Sequence, residues 1–310
     1  MNLEKVDYLL TAIECGSFSL AANKLGMTQS GLNRQISSLE AELGMTLLLR
    51  GRRGVVPAKG TEAVITRLRE LVAAEKRVHE EIAAVKGVLT GSLVIGSYFS
   101  FSTSILPVIL KKYSDAYPAI SLSTVEGSDT DLIARLRNGT IDCAFLSKHS
   151  FDGDFFELMD TEFVAWLPQN HPLTQKDAVT VAEITREPFI YPRVHHNTDI
   201  DDFFARHRAK PRTHLITNDP YSAWAMVNAG LGVSVNNRLQ GINLKGAVVQ
   251  KPFFPEERVT LGIALPSLET ASPALMRLVS LSRRLTDELI HGPFATALPE
   301  GERVSTQVAL

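Results

Sequence analysis

The chain has 310 residues and a formal net charge of −2, with 45% hydrophobic and 21% charged residues. This length suggests about two or three domains, and this composition excludes a disordered or fibrous protein. The sequence has no apolar run long enough to span a membrane, and its start, MNLEKVDYLL, lacks the pattern of a secretion signal. Two cysteines, Cys15 and Cys143, are too few for a disulfide framework, so we expect a cytoplasmic protein.

Basic residues are unevenly distributed along the chain. Residues 1–60 hold seven lysines and arginines against five acidic residues, whereas residues 88–310 hold twenty against twenty-four. A local basic cluster on an otherwise acidic chain indicates contact with nucleic-acid phosphates, although such a cluster can also be ordinary solvated surface. Four basic residues fall within ten positions with no acidic residue between them, namely Arg50, Arg52, Arg53 and Lys59.

The first sixty residues predict three helices and a hairpin. Apolar residues at helical spacing predict a first helix around Leu9, a second short helix that ends at Gly26, and a third from Thr28 to Gly44. Two apolar runs then flank Gly51-Arg-Arg-Gly54, the pattern of a basic β-hairpin. Three helices followed by such a wing make a winged helix-turn-helix.

The third predicted helix has one apolar face and one polar face without acidic residues. The polar face and the capping residue are Thr28, Gln29, Ser30, Asn33, Arg34 and Ser37. Arginine can bond guanine through two hydrogen bonds in the major groove, and asparagine or glutamine can bond adenine in the same way. We therefore expect these residues to contact DNA bases, while the wing, including Arg50, Arg52, Arg53 and Lys59, holds phosphates. A merely solvated helix face is the alternative.

Residues 64–89 show a heptad pattern. Apolar residues, with one break at Glu75, alternate in steps of four and three between Val64 and Leu89. A stripe this narrow would leave a lone helix with little to bury. It predicts pairing with a second copy of the chain, with packing on its own domain as the alternative.

Beyond residue 90 the pattern changes to alternating strands and helices, which predicts a parallel sheet covered by helices. Hydroxyl and amide side chains cluster at the predicted strand-to-helix corners, where α/β proteins bind ligands. We expect them to bind a small anionic or hydroxyl-accepting organic molecule, although each could equally be an ordinary helix cap. The candidate polar residues are Ser97, Ser100, Ser102, Thr103, Ser128, Ser147, Asn197 and Thr198, and Phe99 would add apolar surface beside them.

No motif in the sequence supports catalysis or a bound cofactor. The histidines at 195, 196, 207 and 214 lack the spacing of a metal-binding helix, and neither cysteine is nearby. Phosphate-binding, dinucleotide-binding and nucleophile-elbow motifs are also missing. We therefore expect no enzyme, no metal and no cofactor.

The first sixty residues resemble the helix-turn-helix of LysR-type transcriptional regulators. Two later segments, Gly91-x-Leu-x-Ile-Gly96 and Ala229-Gly-Leu-Gly232, resemble more weakly that family's effector domain. Ser30, Asn33 and Leu48 stand where the family often has Pro, Ser and Phe. The matching residues are Gly16-Ser-Phe-Ser19, Ala21-Ala22, Leu25, Thr28-Gln29, Arg34-Gln-Ile36, Leu39-Glu40, Leu43-Gly44 and Leu47-x-x-Arg50.

This resemblance implies a sequence-specific transcriptional regulator that a small inducer switches. It implies a winged helix-turn-helix, a linker helix that forms a dimer and usually a tetramer, and a two-lobed effector domain of periplasmic-binding-protein type. Its expected partners are operator DNA with an inverted repeat and, as a further candidate, RNA polymerase at the nucleoid. The implied boundaries are 1–60, 61–89 and 90–310, with lobe I at about 90–163 and 267–295 and lobe II at about 164–266.

Two rival functions remain at this point. A two-lobed solute-binding protein or a small dehydratase-type enzyme could share the effector fold, but neither needs residues 1–89. A winged-helix regulator could also sense a protein partner in place of a metabolite.

Overall fold

The computed structural model describes residues 1–51, 54–85, 89–148, 153–192 and 198–291. The chain divides into two compact units. The N-terminal unit holds Met1–Val88 with Asn138–Thr140, and the C-terminal unit holds Leu89–Arg137 with Ile141–Leu310. No helix in the described part of the chain is long and apolar enough to cross a membrane.

The N-terminal unit consists of three short helices, a hairpin and a long helix. Its core lies between the helices and includes Leu9, Leu32 and Ile36, none of which is exposed to solvent. The elements are α1 (Leu3–Cys15), α2 (Phe18–Lys24), α3 (Gln29–Leu43), the antiparallel strands β1 (Leu48–Gly51) and β2 (Gly54–Pro57), and α4 (Glu62–Val85).

Two local contacts fix the wing against the helices. Glu40 in α3 accepts hydrogen bonds from the backbone N–H of Leu47 and Leu48, at 2.7 and 3.0 Å, and so holds the start of β1. Gly54 begins β2 with a φ of +93°, and a Cβ there would lie 2.3 Å from the carbonyl oxygen of Gly16. A side chain at position 54 would therefore push the wing away from the α1–α2 turn.

Helix α4 adds buried apolar side chains to the core of the N-terminal unit from its first turns. Ile65 and Leu68 belong to the core of that unit, which is the packing that the alternative to pairing anticipated. Farther along, the predicted heptad stripe is exposed in the single chain. The exposed apolar side chains are Leu71, Val78, Ile82 and Val85. The last predicted stripe residue, Leu89, lies outside α4 and packs against a core cluster of the C-terminal unit.

The C-terminal unit is a mixed α/β structure around a seven-stranded sheet. The strands of the unit are β3 (Gly91–Ser97), β4 (Ile120–Glu126), β5 (Cys143–Ser147), β6 (Asp154–Pro168), β7 (Phe189–Pro192), β8 (Thr213–Thr217), β9 (Ser234–Asn237), β10 (Val248–Pro252) and β11 (Arg258–Leu265). Of these, β7 and β8 form a separate two-stranded sheet. The helices of the unit are α5 (Phe99–Ser102), α6 (Leu106–Ala116), α7 (Asp129–Arg137), α8 (Val181–Ile184), α9 (Asp199–Arg206), α10 (Pro220–Asn228) and α11 (Pro273–His291), with 3₁₀ turns at Pro172–Gln175 and Arg238–Gly241.

Strand β6 links two lobes within this unit. Its first part, Asp154–Glu162, pairs with β11, and its second part, Phe163–Pro168, pairs with β10 and β9. The first lobe contains β3, β4, β5 and β11, with α6 and α11 on one face of the sheet and α7 on the other. In the second lobe, α9 and α10 pack on separate apolar clusters beside β7 and β9.

The observed strand directions correct the expectation of a parallel sheet. Strands β4 and β5 do run parallel to β3, and β7 runs parallel to β8. Strand β11, however, is antiparallel to β5 and β6, because the chain returns from the second lobe to complete the sheet of the first. The sequence-based division had assigned these strand residues to lobe II.

Candidate DNA-binding surface and effector site

Helix α3 presents the predicted DNA-contacting side chains at the surface of the N-terminal unit. Thr28 caps the helix by accepting a 3.1 Å hydrogen bond from the N–H of Gly31. The same hydroxyl explains why glycine occupies position 31, because a Cβ there would lie only 3.0 Å from it. Opposite these polar groups, the helix buries its apolar stripe in the core. The exposed residues are Thr28, Gln29, Ser30, Arg34 and Ser37.

Asn33 differs from the other predicted contacts. Its side chain is only half-exposed, and its amide oxygen is buried without a hydrogen-bond partner among the described residues. A two-point contact with adenine needs both ends of the amide. Asn33 would therefore have to change its side-chain rotamer to read a base in that way.

On the wing, Arg50 contacts both neighbouring helices. Its guanidinium lies 4.8 Å from the centre of the Phe18 ring in α2, and its Nη2 donates a 3.3 Å hydrogen bond to Ser37 in α3. Lys59 is exposed beyond β2. The other two predicted phosphate-binding residues, Arg52 and Arg53, lie outside the described residues.

The predicted effector residues from Ser97 to Thr103 surround α5, at the end of β3. Ser102 donates a 2.8 Å hydrogen bond to the hydroxyl of Ser97, and Thr103 donates to the carbonyl of Phe99 at 3.0 Å. These hydroxyls are therefore used inside the lobe. Ser100 differs, since its hydroxyl is fully buried and has no hydrogen-bond partner among the described residues.

Two of the remaining predicted effector residues, Ser128 and Thr198, cap helices, the role that the alternative anticipated. Ser128 exchanges hydrogen bonds with Asp131 at the start of α7, and Ser147 donates to Asp129 at 2.8 Å. Thr198 forms a reciprocal capping pair at the start of α9. Asn197 lies outside the described residues. Hydrogen bonds within a lobe thus engage the hydroxyls of Ser128, Ser147 and Thr198.

Three buried polar residues between the lobes were not among the predicted contacts. Tyr98 follows β3 in the first lobe, Asp199 begins α9 in the second, and Gln240 lies in the Arg238–Gly241 turn. The Tyr98 hydroxyl donates to the two carboxylate oxygens of Asp199, each at 3.2 Å, and accepts from the Gln240 side-chain nitrogen at 2.8 Å. All three side chains are at most 3% exposed. Tyr98 and Asp199 directly follow the predicted effector residues Ser97 and Thr198, and this position is the sequence signal that could have identified them. The sequence contains no comparable signal for Gln240.

Two asparagines, Asn236 and Asn237, precede the turn that carries Gln240. Both residues lie in β9 and are fully buried, and Asn237 caps the following 3₁₀ turn by accepting from the N–H of Gln240.

Within the described ranges, no cluster of three or more His, Cys, Asp or Glu could hold a metal ion. Cys143 is the first residue of β5, and burial raises the pKa of its thiol well above its ordinary value.

Two family profiles match the chain. The profile described as "Bacterial regulatory helix-turn-helix protein, lysR family" matches residues 3–62, and "LysR substrate binding domain" matches residues 86–287. The probable HTH-type transcriptional regulator LrrA of Synechococcus elongatus is 29% identical over 293 residues, which cover 93% of this chain and 99% of that protein.

Solved structures show the same fold. A full-length OxyR variant from Pseudomonas aeruginosa has a TM-score of 0.74 at 21% identity and covers 93% of this chain and 95% of its own. CbnR in complex with its target DNA has a TM-score of 0.64 at 20% identity, covering 92% and 99%. These similar proteins are regulators and not enzymes. With both profiles matched over most of its length, the chain belongs to the LysR family of DNA-binding transcriptional regulators.

Proposed function

We propose that this regulator reads its operator with the exposed face of α3, chiefly through Gln29, Ser30 and Arg34. The observation that carries this proposal is a helix with one fully buried apolar stripe and an opposite face of amide, hydroxyl and guanidinium groups without an acidic residue. Such a face suits the major groove, where hydrogen-bond donors and acceptors distinguish the four base pairs. Thr28, Asn33 and Ser37 would add contacts at the edges of this face.

The wing would hold the DNA backbone. Lys59 is exposed, and Arg52 and Arg53 extend the basic sequence between β1 and β2. Contacts with phosphates position the reading helix without selecting a sequence, so the wing would set the affinity and α3 the specificity.

The exposed stripe of α4 supports pairing of two chains. Four apolar side chains at heptad positions are uncovered in the single chain, and a partner helix would bury them. A symmetric dimer presents two reading helices, which calls for an operator with an inverted repeat. We add to this proposal that the dimers form a tetramer and that the protein contacts RNA polymerase, both on the ground of the family resemblance. An activity on chromosomal DNA would place the protein in the cytoplasm, at the nucleoid.

A small organic effector would bind between the lobes of the C-terminal unit. The buried hydroxyl of Ser100, which lacks a partner among the described residues, supports a ligand there. A ligand that contacts both lobes favours one lobe arrangement over another, and only such a difference in affinity shifts the population of states.

A gel-shift titration with the DNA upstream of the protein's own gene tests the DNA-binding part. We expect binding that weakens steeply with salt and that is lost when one half of an inverted repeat is scrambled. Equal affinity for the intact and the scrambled repeat would contradict the proposal.

A further inference from the structure

The hydrogen bonds between the lobes have a defined direction. A carboxylate only accepts hydrogen bonds, so the single proton of the Tyr98 hydroxyl must point to Asp199. The tyrosine oxygen is then an acceptor for Gln240, which must present its amide nitrogen. Asp199 is the first residue of α9, where the helix dipole favours the ionised carboxylate.

This direction leaves an acceptor open. With its nitrogen bonded to Tyr98, the Gln240 side chain turns its oxygen elsewhere, and that oxygen is buried without a partner among the described residues. Helix α5, which carries Ser100, packs against the turn that carries Gln240. An unpartnered amide oxygen and an unpartnered hydroxyl therefore occur on neighbouring elements. Leaving such buried groups unsatisfied costs free energy that a ligand with matching groups would recover.

Resting on the effector site proposed above, we infer that this site is built for a neutral or cationic ligand that donates hydrogen bonds through hydroxyl or ammonium groups. One donor would satisfy the Gln240 oxygen, while the Tyr98 hydroxyl stays on Asp199 and so keeps that oxygen available. The Ser100 hydroxyl can donate or accept and completes the set.

An anionic ligand fits these groups poorly. A carboxylate offers only acceptors to the Gln240 oxygen, and it would bring a second negative charge towards the buried Asp199. A site that places acceptors against an acceptor ligand rejects that ligand. The inference thus replaces the anionic molecule expected from the sequence with one of the opposite hydrogen-bonding character.

The test uses three probes with one ring size and different head groups: cyclohexylamine, cyclohexane-1,2-diol and cyclohexanecarboxylate. Thermal unfolding of the full chain is followed at equal probe concentrations, and dissociation constants are taken from titrations. We expect the amine and the diol to raise the unfolding midpoint, the tighter-binding probe by more, and the carboxylate to leave it unchanged.

Two variants connect the effect to the site. Asp199→Asn keeps the shape of the side chain and leaves the Thr198–Asp201 capping pair intact, and we expect it to weaken the amine about tenfold. Tyr98→Phe removes the hydroxyl that orients the Gln240 amide, and it should weaken the binding of both the amine and the diol. Asp202→Asn, on the same turn of α9, is the matched control and should change the dissociation constant of neither the amine nor the diol.

Each other outcome has a distinct meaning. If only the carboxylate binds and Ser100→Ala abolishes its effect, the site stands and the inferred ligand class is wrong. If a probe binds equally to wild type, Asp199→Asn and Ser100→Ala, it binds elsewhere, and the proposed location of the effector fails with it. No midpoint shift with any probe overturns the ligand class, whereas the gel-shift titration tests DNA binding independently.

Discussion

Arg50 stacks its guanidinium on the ring of Phe18, 4.8 Å from the ring centre, and this contact joins the wing to α2. The hydrogen bond from Arg50 to Ser37 extends the connection to the reading helix. Arg50 is therefore a positioning residue within the domain as much as a candidate for a phosphate. Cation–π contacts at exposed sites contribute roughly 0.5–1 kcal/mol.

Arg50→Ala should consequently lower both stability and DNA affinity. We expect the free energy of unfolding to fall by about 1 kcal/mol, in urea titrations, and binding to weaken alike for all DNA sequences. Lys59→Ala is the control, because the exposed Lys59 should change affinity and its salt dependence while leaving stability within error. Equal stability of the two variants would mean that the Phe18 contact contributes nothing.

Arg34→Ala should reduce specificity. The exposed guanidinium of Arg34 suits a two-point contact with guanine, worth about 1–3 kcal/mol of discrimination. We expect weaker operator binding and relaxed preference at one position in each half-site, measured by gel shifts with single-base operator variants. Wild-type affinity and preference in this variant would remove Arg34 from the reading surface.

Charges in the α4 stripe should separate the chains. The double substitution Leu71→Lys and Val78→Lys puts two charges where a partner helix would bury them, and we expect monomers in sedimentation together with lost operator affinity. Glu70→Lys reverses a charge at an exposed position on the side of α4 away from the stripe and should preserve assembly. Intact oligomers in the double variant would show that α4 pairs through another face or not at all.

Glu183 should stabilise the second lobe in a pH-dependent manner. Hydrogen bonds from Lys176, and then from Thr180, lower its pKa from 4.5 to about 2. A lowered pKa in the folded state stabilises the protein above the unfolded pKa, and this contribution disappears as the pH falls towards 2. The deficit in unfolding midpoint of Glu183→Gln should therefore be largest near neutral pH and shrink continuously from about pH 5 downwards. A deficit that stays constant with pH would assign the effect to packing.

The two thiols should differ in reactivity. Cys143 is fully buried in β5 with a raised thiol pKa, whereas Cys15 is partly exposed at the end of α1. Because the thiolate is the reactive form, iodoacetamide should label Cys15 in the native protein and reach Cys143 only after unfolding. Mass spectrometry of digested samples measures this, and rapid native labelling of Cys143 would show that β5 opens frequently.

The sequence was most informative in the N-terminal unit. Local signals determine its elements: Thr28 caps α3, Gly44 follows its end, and the apolar spacing of Leu32, Ile36 and Leu39 matches the buried stripe. The role of Arg50 could not be seen, because Phe18 and Ser37 approach it only after the helices have packed. A linear basic cluster cannot distinguish a phosphate contact from an internal one.

In the C-terminal unit, pairing between distant segments limited what could be predicted. Strand β11 completes the first sheet from far along the chain, and no local pattern encodes its antiparallel direction. The corner hydroxyls were correctly located at element ends, but residues such as Thr198 are explained by capping. Tyr98 and Gln240 meet across 142 positions, a contact that only tertiary structure creates.

Because one unbroken strand belongs to both lobes, β6 limits how the effector domain can deform. Its pairing partners change between Glu162 and Phe163, and at this point Arg238 holds Glu162 through two hydrogen bonds, at 3.2 and 2.6 Å. Sliding one lobe past the other would break a continuous backbone ladder, whereas twisting about this short segment preserves it. The chain crosses between the lobes a second time, from β10 to β11, so effector binding would have to twist both crossings together.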